Sequence, residues 1–466
     1  MSRPRILLSI PNTLSTRNLL RSDVLPRLEA AAERIVIVTP FDRDPAFQRE
    51  FARGNVVLRP MARYRPSRGE DVLMRAAYNL HVATSAPHSL RLLLERWGER
   101  HPWLAPFRKA AIYGVLSRMG RLVPLVDRGF LAAGGETGYE ALLAEERPTL
   151  AVFTRLFYCD EIPLMKAAVR AGLPTVGVVA SWDNLTTKGP LMPPLDTLVV
   201  WNDLMQREAA AYHGYPPARV AVTGAPQHDV LYGGPPPTRT REQLFADLGL
   251  DPARRLLVYA GEDQILAPDA PLHIERVAGW IAEGRLAEPC QVLVRPHPQE
   301  EIARYERLRG LPHVHFDLPG RVLEGHWMDM SWRDLLHLYD TLRHADMVLN
   351  VTSTMVVDAA LVDTPSICIG FVYTQRDSYY HSPMRYYEMT HFKYVIDADA
   401  TTVASSEAEL LDGINRYLRE PGHKAEGRAR IGRAITQFDD GQSSARTAAA
   451  ILAGSRRTPP RPEETP

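Results

Sequence analysis

The sequence predicts an α/β protein with two Rossmann-like domains that face a cleft, and with a helical insertion in the first domain. Short apolar runs alternate with helical periodicity along both halves of the chain. Polar residues follow many of these runs, as they do at the carboxyl ends of parallel strands. A Gly/Pro-rich segment divides the 466 residues near their middle, and two domains of about 200 residues each suit that length.

Composition limits the partners and the compartment that we expect. Lys and Arg total 55, and Asp and Glu also total 55, so no global charge attracts nucleic acid. The chain opens directly with a strand and lacks a signal-peptide pattern, and no apolar run has the length that spans a bilayer. We therefore expect a cytoplasmic protein whose widely spaced cysteines are reduced: Cys159, Cys290 and Cys368.

The first domain is predicted to cover residues 1–228. Two apolar strands, Arg5–Ile10 and Arg34–Thr39, flank a helix and form a βαβ opening. The loop after the first strand carries Asn12 and Thr13, which we expect to bind the acceptor substrate at the cleft. No G-x-G-x-x-G follows the strand, so a nicotinamide or flavin dinucleotide is not indicated and no cofactor is expected.

Residues 62–147 are predicted to form the helical insertion. Between residues 62 and 130, twelve basic residues stand against five acidic ones, interleaved with aromatic side chains. This pattern suits an anionic membrane surface, which would make the protein peripheral on the inner face of the membrane. An insertion that packs on its own domain and leaves a solvated basic face fits the pattern equally well. A lipid-linked acceptor would explain why the insertion exists.

Two later strands of the first domain, Thr149–Thr154 and Pro174–Ala180, both end in polar residues. Asp160 follows the first strand. An aromatic residue beside an Asp-Asn pair is a common way to bind a sugar, so we predict that the second loop binds the acceptor. An ordinary turn with Asp183 at its corner is the alternative. The predicted residues in this loop are Trp182, Asp183, Asn184 and Lys188.

The remaining chain is predicted to form a linker and a second domain. The linker covers residues 229–240 and includes a run of glycine and proline. The second domain covers 241–440, and a helix at 441–454 is expected to return to the first domain. Residues 455–466 are Pro-rich and charged, which predicts disorder.

Strand Arg255–Ala260 opens the second domain and leads into Gly261 and Glu262. Glycine permits the backbone to approach a ligand closely, and we expect the Glu262 carboxylate to face the cleft and bind the donor substrate. Capping of the next helix is the alternative use of this carboxylate.

Two further strand ends are predicted to form a seat for a phosphate. Strand Cys290–Arg295 ends at Arg295 and continues to His297 between two prolines. A later apolar strand ends in the Thr352–Thr354 turn, where hydroxyl and N–H groups begin a helix that contains Asp358. Because parallel strands end at one edge of a sheet, we expect these residues to converge on a phosphate or diphosphate. An ordinary capped helix is the alternative for the turn.

These motifs resemble a known family. An Arg-x-His-Pro at residues 295–298, followed about fifty residues later by Ala-Asp, an apolar strand, a Thr/Ser turn and Asp358, is similar to the C-terminal halves of bacterial GT-B glycosyltransferases. The most similar are the CDP-glycerol glycerophosphotransferases and the capsule Kdo- and sialyl-type transferases. Residues 223–229 likewise resemble the motif that closes the first domain in these enzymes and in UDP-GlcNAc 2-epimerases. In these relatives the His-Pro and hydroxyl motifs bind the nucleotide donor.

The resemblance implies a glycosyltransferase that moves a sugar from a nucleotide-activated donor to a bacterial surface-glycan or lipid-linked acceptor. Arg295, His297 and the Thr352–Thr354 turn would neutralise the leaving phosphate without a metal. If the reaction inverts, Asp183 is the first candidate for the general base and Asp160 the second. A CDP-glycerol-type polyol-phosphate transferase, a nucleotide-sugar 2-epimerase and a non-catalytic scaffold stay open as alternatives. The Thr-Ser-Thr turn argues against the epimerase, whose family has Ser-Gly-Gly there.

Overall fold

The computed structural model describes residues 3–85, 87–157, 159–232, 239–262, 264–297, 300, 302–318, 320–323, 327–374 and 382–455. The chain divides into two compact units. The first comprises Met1–Gly234 and Thr436–Pro466, and the second comprises Pro235–Ile435. Each unit contains a parallel β-sheet and helices, which confirms the predicted α/β class with two Rossmann-like domains.

The first unit contains a seven-stranded parallel sheet in the order β3-β2-β1-β4-β5-β6-β7. The near-continuous apolar runs of the central strands are fully buried, as expected for strands covered on both faces. The order reverses direction between β1 and β4. The strands are β1 Arg5–Ser9, β2 Arg34–Thr39, β3 Val56–Pro60, β4 Leu150–Phe153, β5 Thr175–Val178, β6 Thr197–Val200 and β7 Val220–Val222.

The helices of the first unit surround this sheet. They are α1 Thr13–Ser15, α2 Val24–Ala31, α3 Pro45–Phe51, α4 Arg68–Thr84, α5 His88–Arg100, α6 Ala105–Lys109, α7 Val123–Ala132, α8 Glu140–Glu146, α9 Ile162–Arg170, α10 Asn184–Thr187, α11 Asp203–His213, α12 Asp229–Tyr232 and α21 Ser443–Gly454. Two π-helical turns, Thr16–Leu20 and Ala110–Val115, and short 3₁₀ turns complete the unit. The last helix contacts α2, β5 and β6, and the Asp229 carboxylate accepts hydrogen bonds from the first two N–H groups of α21.

The segment predicted as a helical insertion is helical from α4 to α8. A Ser67 capping box starts α4, because Ser67 and Glu70 each accept the other's backbone N–H. Apolar side chains of α4 and α7 pack around Phe130, which is fully buried. The helical path breaks into π and 3₁₀ turns between residues 110 and 122, so the segment consists of several helices.

The second unit contains a six-stranded parallel sheet in the order β10-β9-β8-β13-β14-β15, whose direction reverses between β8 and β13. Its strands are β8 Arg255–Ala260, β9 Cys290–Arg295, β10 Val314–Phe316, β13 Met347–Asn350, β14 Ser366–Ile369 and β15 Thr402–Ala404, beside an antiparallel pair, β11 Arg321–Leu323 and β12 Trp327–Asp329. Its helices are α13 Arg241–Leu248, α14 Ala270–Ala282, α15 Trp332–His344, α16 Met355–Leu361, α17 Met384–Tyr387, α18 Thr390–Asp397, α19 Glu407–Arg419 and α20 Ala425–Thr436.

The predicted linker is partly helical, because α12 begins at Asp229; residues 233–238 of it lie outside the described residues. Residues 456–466 of the predicted tail also lie outside them. The three cysteines are buried and form no disulfide. Within the described ranges, no helix has the length and apolar character needed to cross a membrane.

Candidate functional site

The carboxyl ends of β9, β8 and β13 form the candidate site of the second unit. Strand β8 pairs with β9 on one side and with β13 on the other. Open parallel sheets bind ligands where the strand order reverses, and here the reversal lies between β8 and β13. The predicted donor-binding residues therefore do lie at neighbouring strand ends: Gly261 and Glu262 after β8, Arg295 and His297 at β9, and Thr352–Thr354 after β13.

The Glu262 carboxylate already fills part of the predicted phosphate seat. Its Oε1 accepts the backbone N–H groups of Val351 at 2.9 Å and Thr352 at 2.5 Å, and its Oε2 accepts the Thr352 hydroxyl at 3.0 Å. Burial raises the pKa of Glu262 to about 7, against the opposing effect of these hydrogen bonds. The predictions that Glu262 faces a ligand and that Thr352 offers its donors to a phosphate are therefore wrong. A buried carboxylate needs donors, and the strand-end N–H groups need an acceptor.

Asn350 shapes the rest of the turn. This fully buried amide accepts the Ser353 N–H at 3.1 Å through Oδ1, and the Ser353 hydroxyl oxygen accepts the Met355 N–H at 3.3 Å. Within the described chain, the Ser353 hydroxyl hydrogen and the N–H and hydroxyl of exposed Thr354 have no acceptor. Ser353 and Thr354 thus keep donors available to a ligand. This role of Asn350 was not predicted from the sequence, where its signal is an amide at the end of an apolar strand.

Arg295 is buried, with an exposed fraction of 2 %, and pairs with Asp317. Asp317 also bonds to His337 Nε2 at 3.0 Å, and Arg239 contacts His337 Nδ1. Burial lowers the pKa of Arg295, and His337 and Arg295 together lower the pKa of Asp317 against the effect of burial. Arg295 is therefore already paired inside the protein, as a buried guanidinium requires. Its Nη2 has no hydrogen-bond partner among the described residues, and its contact with a donor phosphate stays a prediction.

Gly261 allows the loop after β8 to pack closely against the loop after β9. A Cβ at this position would lie 2.6 Å from Glu300 Oε2 and 2.8 Å from Pro296 Cα. Glu300 in turn accepts the His297 backbone N–H at 3.1 Å and fixes the loop after β9. The close approach predicted for Gly261 is therefore real, but the loop of β9 takes the place of the ligand. His297 is half-buried at the sheet edge.

The other carboxylates that could bind a donor substrate or a metal ion have partners within the protein. Asp358, predicted to bind the donor, accepts the Tyr339 hydroxyl at 3.1 Å and so faces α15. Two Asp-x-Asp triplets occur at residues 42–44 and 397–399. The last aspartate of the first triplet caps α3, and both aspartates of the second pair with lysines. Across the described ranges, no group of three or more His, Cys, Asp or Glu side chains could hold a metal ion.

In the first unit, the ends of β1 and β4 use the same arrangement as the Glu262 site. The Glu161 carboxylate is fully buried and accepts the N–H groups of Thr154, Arg155 and Leu156 at 2.8 to 3.0 Å. Burial raises the pKa of Glu161 against these hydrogen bonds. Asn12, predicted to bind the acceptor, caps α1 through its Oδ1, and the neighbouring Thr13 is buried. The role predicted for Asn12 is therefore replaced by helix capping.

The loop after β5 is an internally bonded turn. Asp183 accepts the Ser181 hydroxyl at 2.5 Å, the Thr187 hydroxyl at 3.0 Å and the Asn184 amide at 3.2 Å. Trp182 is 4 % exposed and offers no open ring face to a sugar, so the predicted sugar platform is wrong. These contacts favour the turn interpretation of the Asp-Asn pair. Lys188 is exposed at the end of the loop.

Asp160, the second candidate base, follows β4. Its Oδ1 accepts the backbone N–H of Tyr64 at 2.7 Å, and its side chain is half-buried. Asp160 is therefore engaged by one backbone donor from the stretch after β3, whereas Asp183 is engaged by three side-chain donors from its own loop.

The two parallel α/β units give the chain the fold of the GT-B class of two-domain proteins. A protein assigned as UDP-N-acetylglucosamine 2-epimerase from Listeria monocytogenes is 12 % identical over 100 % of both chains, with a TM-score of 0.57. S. aureus MnaA in complex with UDP is 8 % identical over 99 % of this chain and 100 % of its own, with a TM-score of 0.56. A glycosyltransferase from Rickettsia africae is 8 % identical over 98 % and 100 %, with a TM-score of 0.52. No family model matches the sequence, and no curated protein matches it.

Proposed function

We propose that the protein is a metal-independent glycosyltransferase that moves a sugar from a nucleotide-activated donor to a surface-glycan or lipid-linked acceptor. Transfer of a polyol phosphate from a CDP-linked donor is the close variant. The observation that supports this proposal is the group of available donors on Ser353 and Thr354 where the second sheet reverses its order. A nucleotide leaving group needs such donors because negative charge develops on its phosphate as the bond to the sugar breaks.

Glu262 acts in this proposal as a positioning residue. Its hydrogen bonds to Val351 and Thr352 hold the turn in the conformation that leaves Ser353 and Thr354 available. Because the pKa of Glu262 is raised to about 7, the carboxyl group can take up a proton when a diphosphate approaches, which removes the repulsion between the two anions. The site thus accepts a diphosphate without a free arginine.

Asp160 is the general base that we favour for an inverting reaction. A carboxylate that accepts many hydrogen bonds is a weaker base, because each bond stabilises its charged form. Asp183 accepts three side-chain donors, whereas Asp160 accepts the backbone N–H of Tyr64, which lies in the stretch after β3. We therefore place Asp160 ahead of Asp183, in the reverse of the order that the sequence suggested.

The acceptor side of the proposal includes a membrane surface. Trp103 and Phe107 are 88 % and 76 % exposed, although Ile112 of the same segment is buried in an apolar cluster. Residues 100–125 contain five Lys and Arg side chains and no Asp or Glu. Glu95 pairs with one of these basic residues, Lys109, at 3.7 Å, and the others leave the surface with an excess of positive charge. An exposed aromatic surface with such an excess matches the interface of an anionic bilayer. A lipid-linked acceptor would be presented to the protein on such a surface.

Vesicle sedimentation tests this membrane contact. The protein is expected to bind vesicles of phosphatidylcholine that contain phosphatidylglycerol, and a Trp103→Ser/Phe107→Ser variant is expected to bind at least tenfold more weakly. Ile265→Ser, which removes an exposed apolar side chain from the second unit, is the control and should bind like the wild type. Equal binding of all three proteins, or binding to neutral vesicles alone, would contradict the membrane surface.

A thermal-shift screen tests the donor site. One class of nucleotide sugar among CMP-, CDP-, UDP-, GDP- and dTDP-linked compounds is expected to raise the melting temperature, because it binds the native state. A Ser353→Ala/Thr354→Val variant should lose most of this shift while its own melting temperature stays close to that of the wild type. Failure of every class to shift the melting temperature would sink the proposal. If the protein isomerises UDP-GlcNAc without an acceptor, the proposed glycosyltransferase function would be replaced by that of a nucleotide-sugar 2-epimerase.

A further inference from the structure

A cavity of about 230 Å³ lies within the first unit, near the two ends of the helical segment of residues 62–147. One wall is the extended stretch 62–65 after β3, another is the loop 134–139 between α7 and α8, and α9 closes the site. Glu70 and Lys166 line it as a buried ion pair. None of the residues predicted to be catalytic or to bind donor or acceptor lies among its lining residues.

The walls of this cavity are fixed before any ligand binds. The Ala62 N–H donates to the Tyr139 hydroxyl at 2.9 Å, which ties the first wall to the second. Lys166 Nζ donates to Glu70 Oε1 at 2.5 Å and to the Ala133 carbonyl at 2.6 Å, which ties α9 to α4 and to the start of the second wall. Gly134 has a φ of +85°, and a Cβ there would lie 2.4 Å from Glu70 Oε1, so glycine is required beside the ion pair. Rigid walls lower the entropy cost of binding.

The charge in the cavity is unbalanced in favour of cations. Arg63 and Arg65 line it as exposed side chains, and neither has an ion pair or a side-chain hydrogen bond in the described part of the chain. The charges of Glu70 and Lys166 cancel each other, which leaves Glu136 as the one acidic lining residue against the two arginines. The Tyr139 hydroxyl accepts from Ala62 and keeps its own hydrogen to donate.

We infer that this cavity binds the phosphate ester of a sugar-sized ligand. Arginine side chains bind phosphate oxygens in pairs of parallel hydrogen bonds, and the Tyr64 and Tyr139 rings provide apolar surface for a sugar. The volume is below the ~300–1,000 Å³ typical of drug-sized ligands, which favours a sugar phosphate over a whole nucleotide sugar. Tyr64 also donates its N–H to Asp160, so the ligand would lie beside the base that we favour. The interpretation of this cavity as the acceptor site rests on the proposed function. The binding of a phosphate ester in the cavity does not depend on that function.

Isothermal titration with glucose 1-phosphate tests the inference on the full chain. An Arg63→Gln/Arg65→Gln variant is expected to bind this probe at least tenfold more weakly than the wild type, because it loses both charged donors. The control is Arg53→Gln/Arg68→Gln, which removes the same charge from exposed positions of the first unit outside the cavity and should bind like the wild type. Both variants change exposed side chains, and circular dichroism melting checks that they fold.

Three results would overturn the assignment. They are the absence of saturable binding by the wild type, an equal loss of affinity in the control pair, and equal affinity for glucose 1-phosphate and inorganic phosphate. The nucleotide-induced thermal shift is measured on the same variants and is expected to be unchanged. For the wild type, glucose 1-phosphate binding without any nucleotide-induced shift would count against the donor site alone, and a nucleotide-induced shift without glucose 1-phosphate binding would count against this cavity alone.

Discussion

Replacing Asp317 by Ala is expected to destabilise the second unit by about 3–5 kcal/mol, the cost of leaving a buried charge without its partner. The change leaves the Arg295 guanidinium buried among apolar strands, and it also removes the acceptor of the His337 Nε2–H. The free energy of unfolding is measured with urea. Hydrogen exchange of the β9 and β10 amides assigns the loss to the second unit, since a two-unit chain need not unfold in one step.

The matched control removes both charges at once. An Arg295→Met/Asp317→Leu variant is expected to recover most of the lost stability, because apolar groups of similar volume often replace a buried ion pair at little cost. A single Asp317→Ala variant within about 0.5 kcal/mol of the wild type would contradict the buried pair, as would a double variant that is as unstable as the single one. The same reasoning governs activity: an inactive Arg295→Ala variant supports phosphate contact only if the double variant is folded and also inactive, because both variants lack the guanidinium.

Replacing Glu262 by Gln is expected to stabilise the protein at pH 8 and to leave its stability nearly unchanged near pH 4.5. The pKa of Glu262 is raised from about 4.5 to about 7 in the folded state, so the folded protein binds more protons than the unfolded chain between these values. The free energy of unfolding of the wild type therefore falls as the pH rises from about 4.5 to about 7. A shift of this size corresponds to about 3 kcal/mol.

Glutamine reproduces the protonated carboxyl group at this position. Its Oε1 accepts the Val351 and Thr352 N–H groups, and its Nε2–H donates to the Thr352 hydroxyl. Glu262→Ala is the control, because it leaves both N–H groups unpaired and should cost roughly 1–3 kcal/mol for each at every pH. Urea unfolding between pH 4.5 and pH 8 measures the effect. Parallel stability curves for the wild type and Glu262→Gln would contradict the raised pKa.

The central strands of both sheets are predictable from the sequence because they are buried on both faces. The runs Arg34–Thr39 and Arg255–Ala260 are found with the predicted bounds. The strands of the two parallel sheets that were missed, β3 and β15, lie at the edges of their sheets, and the short antiparallel pair β11–β12 was also missed. Edge strands are covered less completely and lack the continuous apolar run that marks a central strand.

The location of the candidate site is predictable, but the bonding of its side chains is not. Parallel strand ends share one edge, which is enough to bring the loops of β8, β9 and β13 together. The partners inside the site are 22 residues apart for Arg295 and Asp317 and 90 residues apart for Glu262 and Thr352. The register of β9 and β10, which pairs Val294 with Phe316, is what brings Asp317 beside Arg295. Only the strand order reveals that the predicted cation is already neutralised.

The most direct test of the donor site is a crystal structure of the protein soaked with the nucleoside diphosphate of the class that the thermal-shift screen selects. We expect the diphosphate oxygens within about 3.2 Å of the Ser353 hydroxyl and the Thr354 N–H, with Glu262 still bonded to Thr352. A diphosphate bound away from the ends of β8, β9 and β13, or one that displaces Glu262 to pair with Arg295, would contradict this account.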